Sequence, residues 1–80
     1  MEYDQELDAR GLLCPIPILK TKVAMDGLQP GQVLKVVATD PGSVKDMQAF
    51  ARQTGNPLLS STVEDKDYVF ILRKGEAPGA

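Results

Sequence analysis

From Tyr3 to Asp8 the chain alternates, with Tyr3, Gln5 and Leu7 set against Asp4, Glu6 and Asp8, the period of two that marks a short strand with one wet face. Its charges predict a place at or near a sheet edge. Ile16, Leu19 and Val23 then recur at spacings of three and four, while Lys20, Thr21 and Asp26 face away. That spacing predicts a helix whose Ile16, Leu19 and Val23 stripe meets the core. Gly27 stops the helix, and Leu28 is placed to pack back on its last turn in a Schellman ending. Gln29-Pro30-Gly31-Gln32 puts Pro and Gly where a type II turn wants them. Val33 to Thr39 is β-branched and apolar on both faces, which predicts a central strand with Leu34, Val36 and Ala38 on one side. Asp40-Pro41-Gly42-Ser43 breaks that strand and opens a second helix, capped either by a Ser43–Asp46 box or earlier, at Asp40 and Pro41. Val44, Met47, Phe50 and Ala51 form its core face, and Gly55-Asn56-Pro57 ends it. Leu58 to Val63 and Tyr68 to Arg73, joined by the polar turn Asp65-Lys66-Asp67, predict a hairpin.

The element order is βαβαββ. A right-handed crossover puts the first helix over a parallel pair of strands, and a second helix on the same face makes a two-layer α/β sandwich. Two helices are thus expected on one face of a mixed four-stranded sheet. The other face is partly wet, which suits Lys35 and Thr39. Residues 1–74 make one domain, and 75–80, rich in Gly, Pro and Ala, read as a flexible C-terminal tail.

Composition narrows the function. With 42% hydrophobic and 25% charged residues the chain is suited to a globular core rather than to disorder. A net charge of −2 and only 5% aromatics are the wrong balance for a basic, stacking nucleic-acid surface. No stretch approaches the eighteen or so apolar residues of a membrane span, and the acidic first residues do not resemble a secretory signal. The protein is expected to be cytoplasmic, where thiols stay reduced. One cysteine and no histidine exclude an internal disulfide and leave no ligand set for a structural metal; no cofactor is expected.

That cysteine sits in Gly11-Leu12-Leu13-Cys14-Pro15-Ile16-Pro17. Two prolines flanking one residue are tolerated only in the first turn of a helix, so the first helix begins here. With Cys14 as its N-cap, Pro15 and Pro17 are the first and third helical residues, and Ile16 offers the one local N–H for the sulfur. The helix N-terminus favours negative charge as well. Both effects predict a Cys14 pKa below the ordinary value of about 8.5. Gly11, Pro15, Ile16 and Pro17 support the presentation of the sulfur. Arg10, Lys20 and Lys22, with Lys45 more remote, are candidates for steering an acidic partner surface, or else ordinary solvated charges. Asp40, Pro41 and Asp46 have turn and capping roles, and Met25 and Met47 pack the helices.

A free cysteine in a small domain is most often an inert apolar residue, but sulfur caps a helix less well than oxygen, so stability alone does not explain Cys14. An acyl-transfer site needs a histidine base, a thioredoxin-like site a second cysteine, and a zinc or iron–sulfur site more ligands. A lone reactive thiol can still accept a group, hold it covalently and yield it to a thiolate on another protein. Sulfane sulfur suits that task, because a persulfide is passed on by thiolate attack at sulfur.

Leu7-Asp8-Ala9-Arg10-Gly11-Leu12-Leu13-Cys14-Pro15-Ile16-Pro17, the later Gly31, Asp40-Pro41 with Asp46, and Leu72-Arg73-Lys74-Gly75 resemble the TusA (SirA-like) sulfur-carrier family over nearly the whole chain. The resemblance implies a two-layer sandwich and a persulfide relay, with Cys14 matching the family's functional cysteine and taking sulfur as a persulfide or a thiosulfonate. It implies a cysteine desulfurase or rhodanese as donor and a DsrE-like or TusD-like acceptor, serving tRNA thiolation, cofactor synthesis or dissimilatory sulfur oxidation. Members tied to tRNA thiolation resemble Arg-Cys-Pro-Glu-Pro, whereas here Leu13 and Ile16 replace the charged residues. That difference favours a general or sulfur-oxidation carrier, expected as a monomer in transient complexes. The competing readings are a protein-interaction or regulatory adaptor with Cys14 incidental, and an RNA-binding module, which the composition disfavours.

Overall fold

The computed structural model describes residues 2–75. Six elements follow in order: β1 (Gln5–Ala9), α1 (Ile16–Asp26), β2 (Val33–Ala38), α2 (Ser43–Thr54), β3 (Leu58–Glu64) and β4 (Asp67–Arg73). The sheet order is β1-β2-β4-β3, with β1 parallel to β2 and both other pairings antiparallel. The expected βαβαββ sandwich is present, with β1 at an edge and β2 in the interior of the sheet. Residues 76–80, most of the expected tail, lie outside the described residues. Gly75, which the sequence assigns to that tail, is tied into the domain: its N–H donates to Asn56 Oδ1 at 2.8 Å.

The register explains the core. Leu7 pairs with Val36, and Val36 with Phe70, so one face of the sheet presents Ala9, Leu34, Val36, Ala38, Phe70 and Leu72 to both helices. Met25 and Leu28 close the layer from the side of α1, and Met47 and Phe50 from α2. The opposite face is mixed, with Glu6, Asp8, Arg10, Lys35, Glu64 and Asp67 around a shallow cleft that also includes Val37 and Val69. Lys74 fastens the far end of the layer: its Nζ donates to the Met25 carbonyl, in the last turn of α1, at 2.8 Å.

Helix α1 is rotated from its expected setting. Pro17, Thr21 and Met25 are the buried residues, whereas Ile16, Leu19 and Val23 are 40%, 54% and 73% exposed. Both stripes have helical spacing, and the inner one continues through Ala24 and Leu28. Thr21 can be buried because its hydroxyl donates to the Pro17 carbonyl at 2.8 Å, so no polar group is left unpaired.

The helix ends also differ in detail. Gly27 is right-handed, at φ −87°, and its N–H bonds to the Ala24 carbonyl at 3.2 Å, so α1 does not end in a Schellman motif. The Ser43–Asp46 box does not form. Gly42 is the N-cap of α2, and the buried Ser43 donates its hydroxyl to the Asp40 carbonyl at 2.6 Å. The type II turn is as expected, with Gly31 at φ +90° and Gln32 N–H bonded to the Gln29 carbonyl at 3.0 Å.

Candidate functional site

Because β1 and β2 are parallel, the segments that leave their C-terminal ends emerge at the same edge of the sheet, residues 10–15 from one and 39–42 from the other. Gly11, at φ +80°, turns the first segment, and its N–H donates to Thr39 Oγ1 at 2.9 Å. Three residues later the Cys14 N–H donates to Asp40 Oδ2 at 2.8 Å. The other oxygen of that carboxylate, Oδ1, accepts from the Gly42 N–H at 3.2 Å. Asp40 thus ties the cysteine loop to the turn that starts α2, and these hydrogen bonds hold its carboxyl below the usual carboxylate range.

The Cys14–Pro15 peptide is cis, and the cap of α1 is Pro15, not Cys14. The Ile16 N–H expected to serve the sulfur donates instead to the Leu13 carbonyl, at 2.9 Å. Cys14 therefore lies one residue before the cap, half-buried, with no side-chain cap bond. Its Sγ is close to Gly42: a Cβ added there would stand 3.6 Å from the sulfur. Asp46, in the first turn of α2, is the second carboxylate whose charge acts on the thiol.

This environment reverses the expected ionisation. Burial pushes the Cys14 thiol up, hydrogen bonding to Asp46 and Asp40 retains the proton, and the two negative charges oppose a thiolate, so the pKa rises to about 12. The resting sulfur is a thiol. The expectation of a lowered pKa rested on the Ile16 N–H and the helix N-terminus; burial of the sulfur, and after it the carboxylates on α2 and the turn before it, outweigh them.

The basic candidates are placed apart from the sulfur. Arg10 pairs with Asp8 at 2.9 Å and lies 4.0 Å from Asp67, on the mixed face of the sheet. Lys22 is 3.8 Å from Asp26. Lys20 lines a groove of about 400 Å³ between α1 and the edge strand β1, with Gln5, Leu7, Leu19, Val23 and Ala24. What adjoins the thiol in sequence and continues along α1 is apolar: Leu13, 73% exposed, then Ile16, Leu19 and Val23 on the outer face. Asp40 and Asp46, read from sequence as turn and cap residues only, are the functional-site residues that reading missed. The available signal was the parallel pairing itself, which brings the Asp40 turn beside the cysteine loop. Among the described residues there is no group of three or more metal-ligating side chains.

A small α/β sandwich that presents one cysteine thiol where two parallel strands end is the class of protein these features define. The chain belongs to the family described as sulfurtransferase TusA, whose profile matches residues 5–74. It is 55% identical over 73 residues to the sulfur carrier protein TusA of Allochromatium vinosum, covering 91% of this chain and 96% of that protein. It is 45% identical to the putative sulfur carrier protein YrkI of Bacillus subtilis, covering 94% and 100% of the two chains. The crystal structure of a SirA-like protein from Desulfitobacterium hafniense superposes with a TM-score of 0.81 at 27% identity, covering 91% of this chain and all of that one.

Proposed function

We propose that Cys14 is the sulfur acceptor of this carrier. In the loading step the Cys14 thiol gives up its proton to solvent and the thiolate attacks the outer sulfur of a donor persulfide. A new S–S bond forms on Cys14, the donor's S–S bond breaks, and the electron pair leaves on the donor's inner sulfur as a thiolate, which is then protonated. Unloading is the same step in reverse on an acceptor thiolate. No base, metal or second cysteine of the chain is required.

The observation that carries this reading is the presentation of one half-buried cysteine, held at its own N–H by Asp40, at the start of an exposed apolar ridge. Gly11, Pro15, Ile16 and Pro17 shape that presentation. Leu13, Ile16, Leu19 and Val23 form the contact surface for partners, with Lys20 and Lys22 as candidate contacts to acidic groups at its rim. Arg10, paired with Asp8, serves the partner only if that pair opens. The donors that fit are a cysteine desulfurase or a rhodanese, and the acceptors DsrE-like or TusD-like proteins. The apolar Leu13 and Ile16 favour a general or sulfur-oxidation carrier over one dedicated to tRNA thiolation. The protein acts as a monomer in transient complexes, in the cytoplasm; no helix among the described residues is long and apolar enough to cross a membrane.

The test is the intact mass of wild type and Cys14→Ser after incubation with a cysteine desulfurase and cysteine, with thiosulfate, or with polysulfide. A gain of one sulfur atom on the wild type, reversed by reductant and absent from the variant, is the expected result. Absence of any adduct on an otherwise accessible thiol would overturn the assignment in favour of an adaptor.

A further inference from the structure

Strand β1 is the first strand of the sheet and pairs only with β2, so the N–H and C=O groups along its outer side have no ladder partner. Its alternation divides the side chains between two environments. Gln5 and Leu7 face α1 and line, with Leu19, Lys20, Val23 and Ala24, the groove of about 400 Å³. Glu6 and Asp8 point the other way, onto the mixed face of the sheet.

The two faces differ in charge. Lys20 is the single charged residue of the groove and makes no ion pair among the described residues. On the mixed face Asp8 is met by Arg10 at 2.9 Å. Glu6 accepts from the Tyr3 hydroxyl at 3.2 Å and is in no ion pair among the described residues; Lys35, its register neighbour on β2, holds its ammonium over the Tyr3 ring at 5.2 Å. A strand laid along β1 would therefore meet a positive charge with apolar walls on one face and a negative charge on the other, a pattern that an extended chain matches with its period of two. A second copy of β1 does not match it: an antiparallel pair centred on Leu7 sets Glu6 against Asp8 of the other copy, and like charges directly opposite are destabilising.

The groove is also continuous with the thiol's surroundings. Leu19 and Val23 belong both to it and to the exposed ridge that starts at Leu13, and β1 leads from Ala9 into the loop that holds Cys14. A chain that follows this edge runs toward the sulfur.

We propose that the protein exchanging sulfur with Cys14 docks through an extended segment that adds to the outer edge of β1 as a fifth strand. The segment sends apolar side chains and a carboxylate into the groove, the carboxylate to Lys20, and a basic side chain to Glu6 on the opposite face. Its backbone supplies the missing ladder, and the partner's reactive sulfur follows the end of the segment that passes Ala9. The inference rests on the carrier reading and adds the chemistry of the partner's docking segment.

Two capped peptides test the surface, Glu-Thr-Leu-Lys-Leu-Thr-Glu and its charge-swapped form Lys-Thr-Leu-Glu-Leu-Thr-Lys. Each reads the same in both directions, so either polarity of the added strand is sampled. The protein carries a net charge of −2, so unspecific attraction would favour the swapped form. Instead the first peptide should bind at least about tenfold more tightly, the worth of a few exposed charge contacts. In NMR titrations of isotope-labelled protein its shifts should fall on Gln5–Ala9 and on α1 from Lys20 to Ala24, with slower exchange of the β1 amides. Lys20→Glu, at an exposed position, should weaken the first peptide by about fivefold, because one contact turns from attraction to repulsion. Equal affinities, tighter binding of the swapped form, binding of neither, or shifts at β3, the other edge of the sheet, would overturn the proposal. The peptides contain no cysteine, so the outcome is independent of sulfur loading. A persulfide adduct without peptide binding would leave the carrier and remove this docking surface, whereas binding without an adduct would keep the surface and sink the carrier reading.

Discussion

The Cys14 N–H donates to the Asp40 carboxylate at 2.8 Å across 26 residues of sequence, and the same carboxylate accepts from Gly42 at 3.2 Å. Asp40→Ala removes both acceptors and leaves two amides without partners. The Cys14 amide should then exchange with solvent faster and the urea midpoint should fall, with Asp40→Asn intermediate because it keeps one acceptor oxygen. Unchanged exchange at Cys14 would show that the loop is held by other contacts.

The setting of α1 is open to substitution. Met25→Ala empties a fully buried position and should cost about 2–5 kcal/mol, whereas Leu19→Ser and Val23→Thr, on the exposed face, should each change stability by no more than about 0.5 kcal/mol. Urea denaturation of the three variants decides the matter. A large loss at Leu19 or Val23 would mean that the outer stripe, not the inner one, meets the sheet.

Lys74 closes the C-terminal end of α1 through the Met25 carbonyl at 2.8 Å. Lys74→Met retains the apolar stem and removes the ammonium donor, at an expected cost of about 1 kcal/mol. Chemical denaturation measures it, and faster amide exchange in the last turn of α1 would localise it. No loss of stability would reduce this contact to an incidental one.

The raised thiol pKa has a stability consequence of definite sign. The folded protein binds the Cys14 proton more tightly than the unfolded chain, whose thiol titrates near about 8.5. That contribution is complete below about pH 8.5 and is lost as the pH climbs toward the folded value of about 12. Denaturation midpoints of wild type and Cys14→Ser, compared at pH 7 and pH 10, should therefore shift against the wild type at the higher pH. Differences that do not change with pH would mean that the thiol titrates alike in both states.

The site was only half legible in the chain. Gly11, Cys14 and the two prolines are contiguous, so their turn and the position of the thiol follow from local backbone preference. Asp40 and Asp46 lie 26 and 32 positions beyond Cys14 and have adequate local roles of their own. Nothing in their neighbourhood marks them as partners of a sulfur. The ionisation expected for Cys14 was wrong for the same reason: a helix N-terminus is a local feature, whereas the burial of the sulfur and the carboxylates that oppose its charge come with the tertiary packing.

By itself the sequence determined the six elements, their order, the turns at Gly31 and Gly55, the interior place of β2 and the family to which the chain belongs. Alternation, helical spacing and Gly-Pro punctuation are all short-range signals. Only the tertiary structure decided which side of α1 faces the sheet, because Ile16, Leu19 and Val23 satisfy a 3.6-residue period as well as Pro17, Thr21 and Met25 do. The choice falls to packing: the inner stripe fits over Leu34, Val36 and Phe70 once Thr21 bonds to the carbonyl of Pro17, and the outer stripe is left exposed beside Cys14. Packing also brought Asp40 to the Cys14 N–H and set the charges of Asp40 and Asp46 against the thiolate. Charges far apart in the chain interact only after the fold has brought them together.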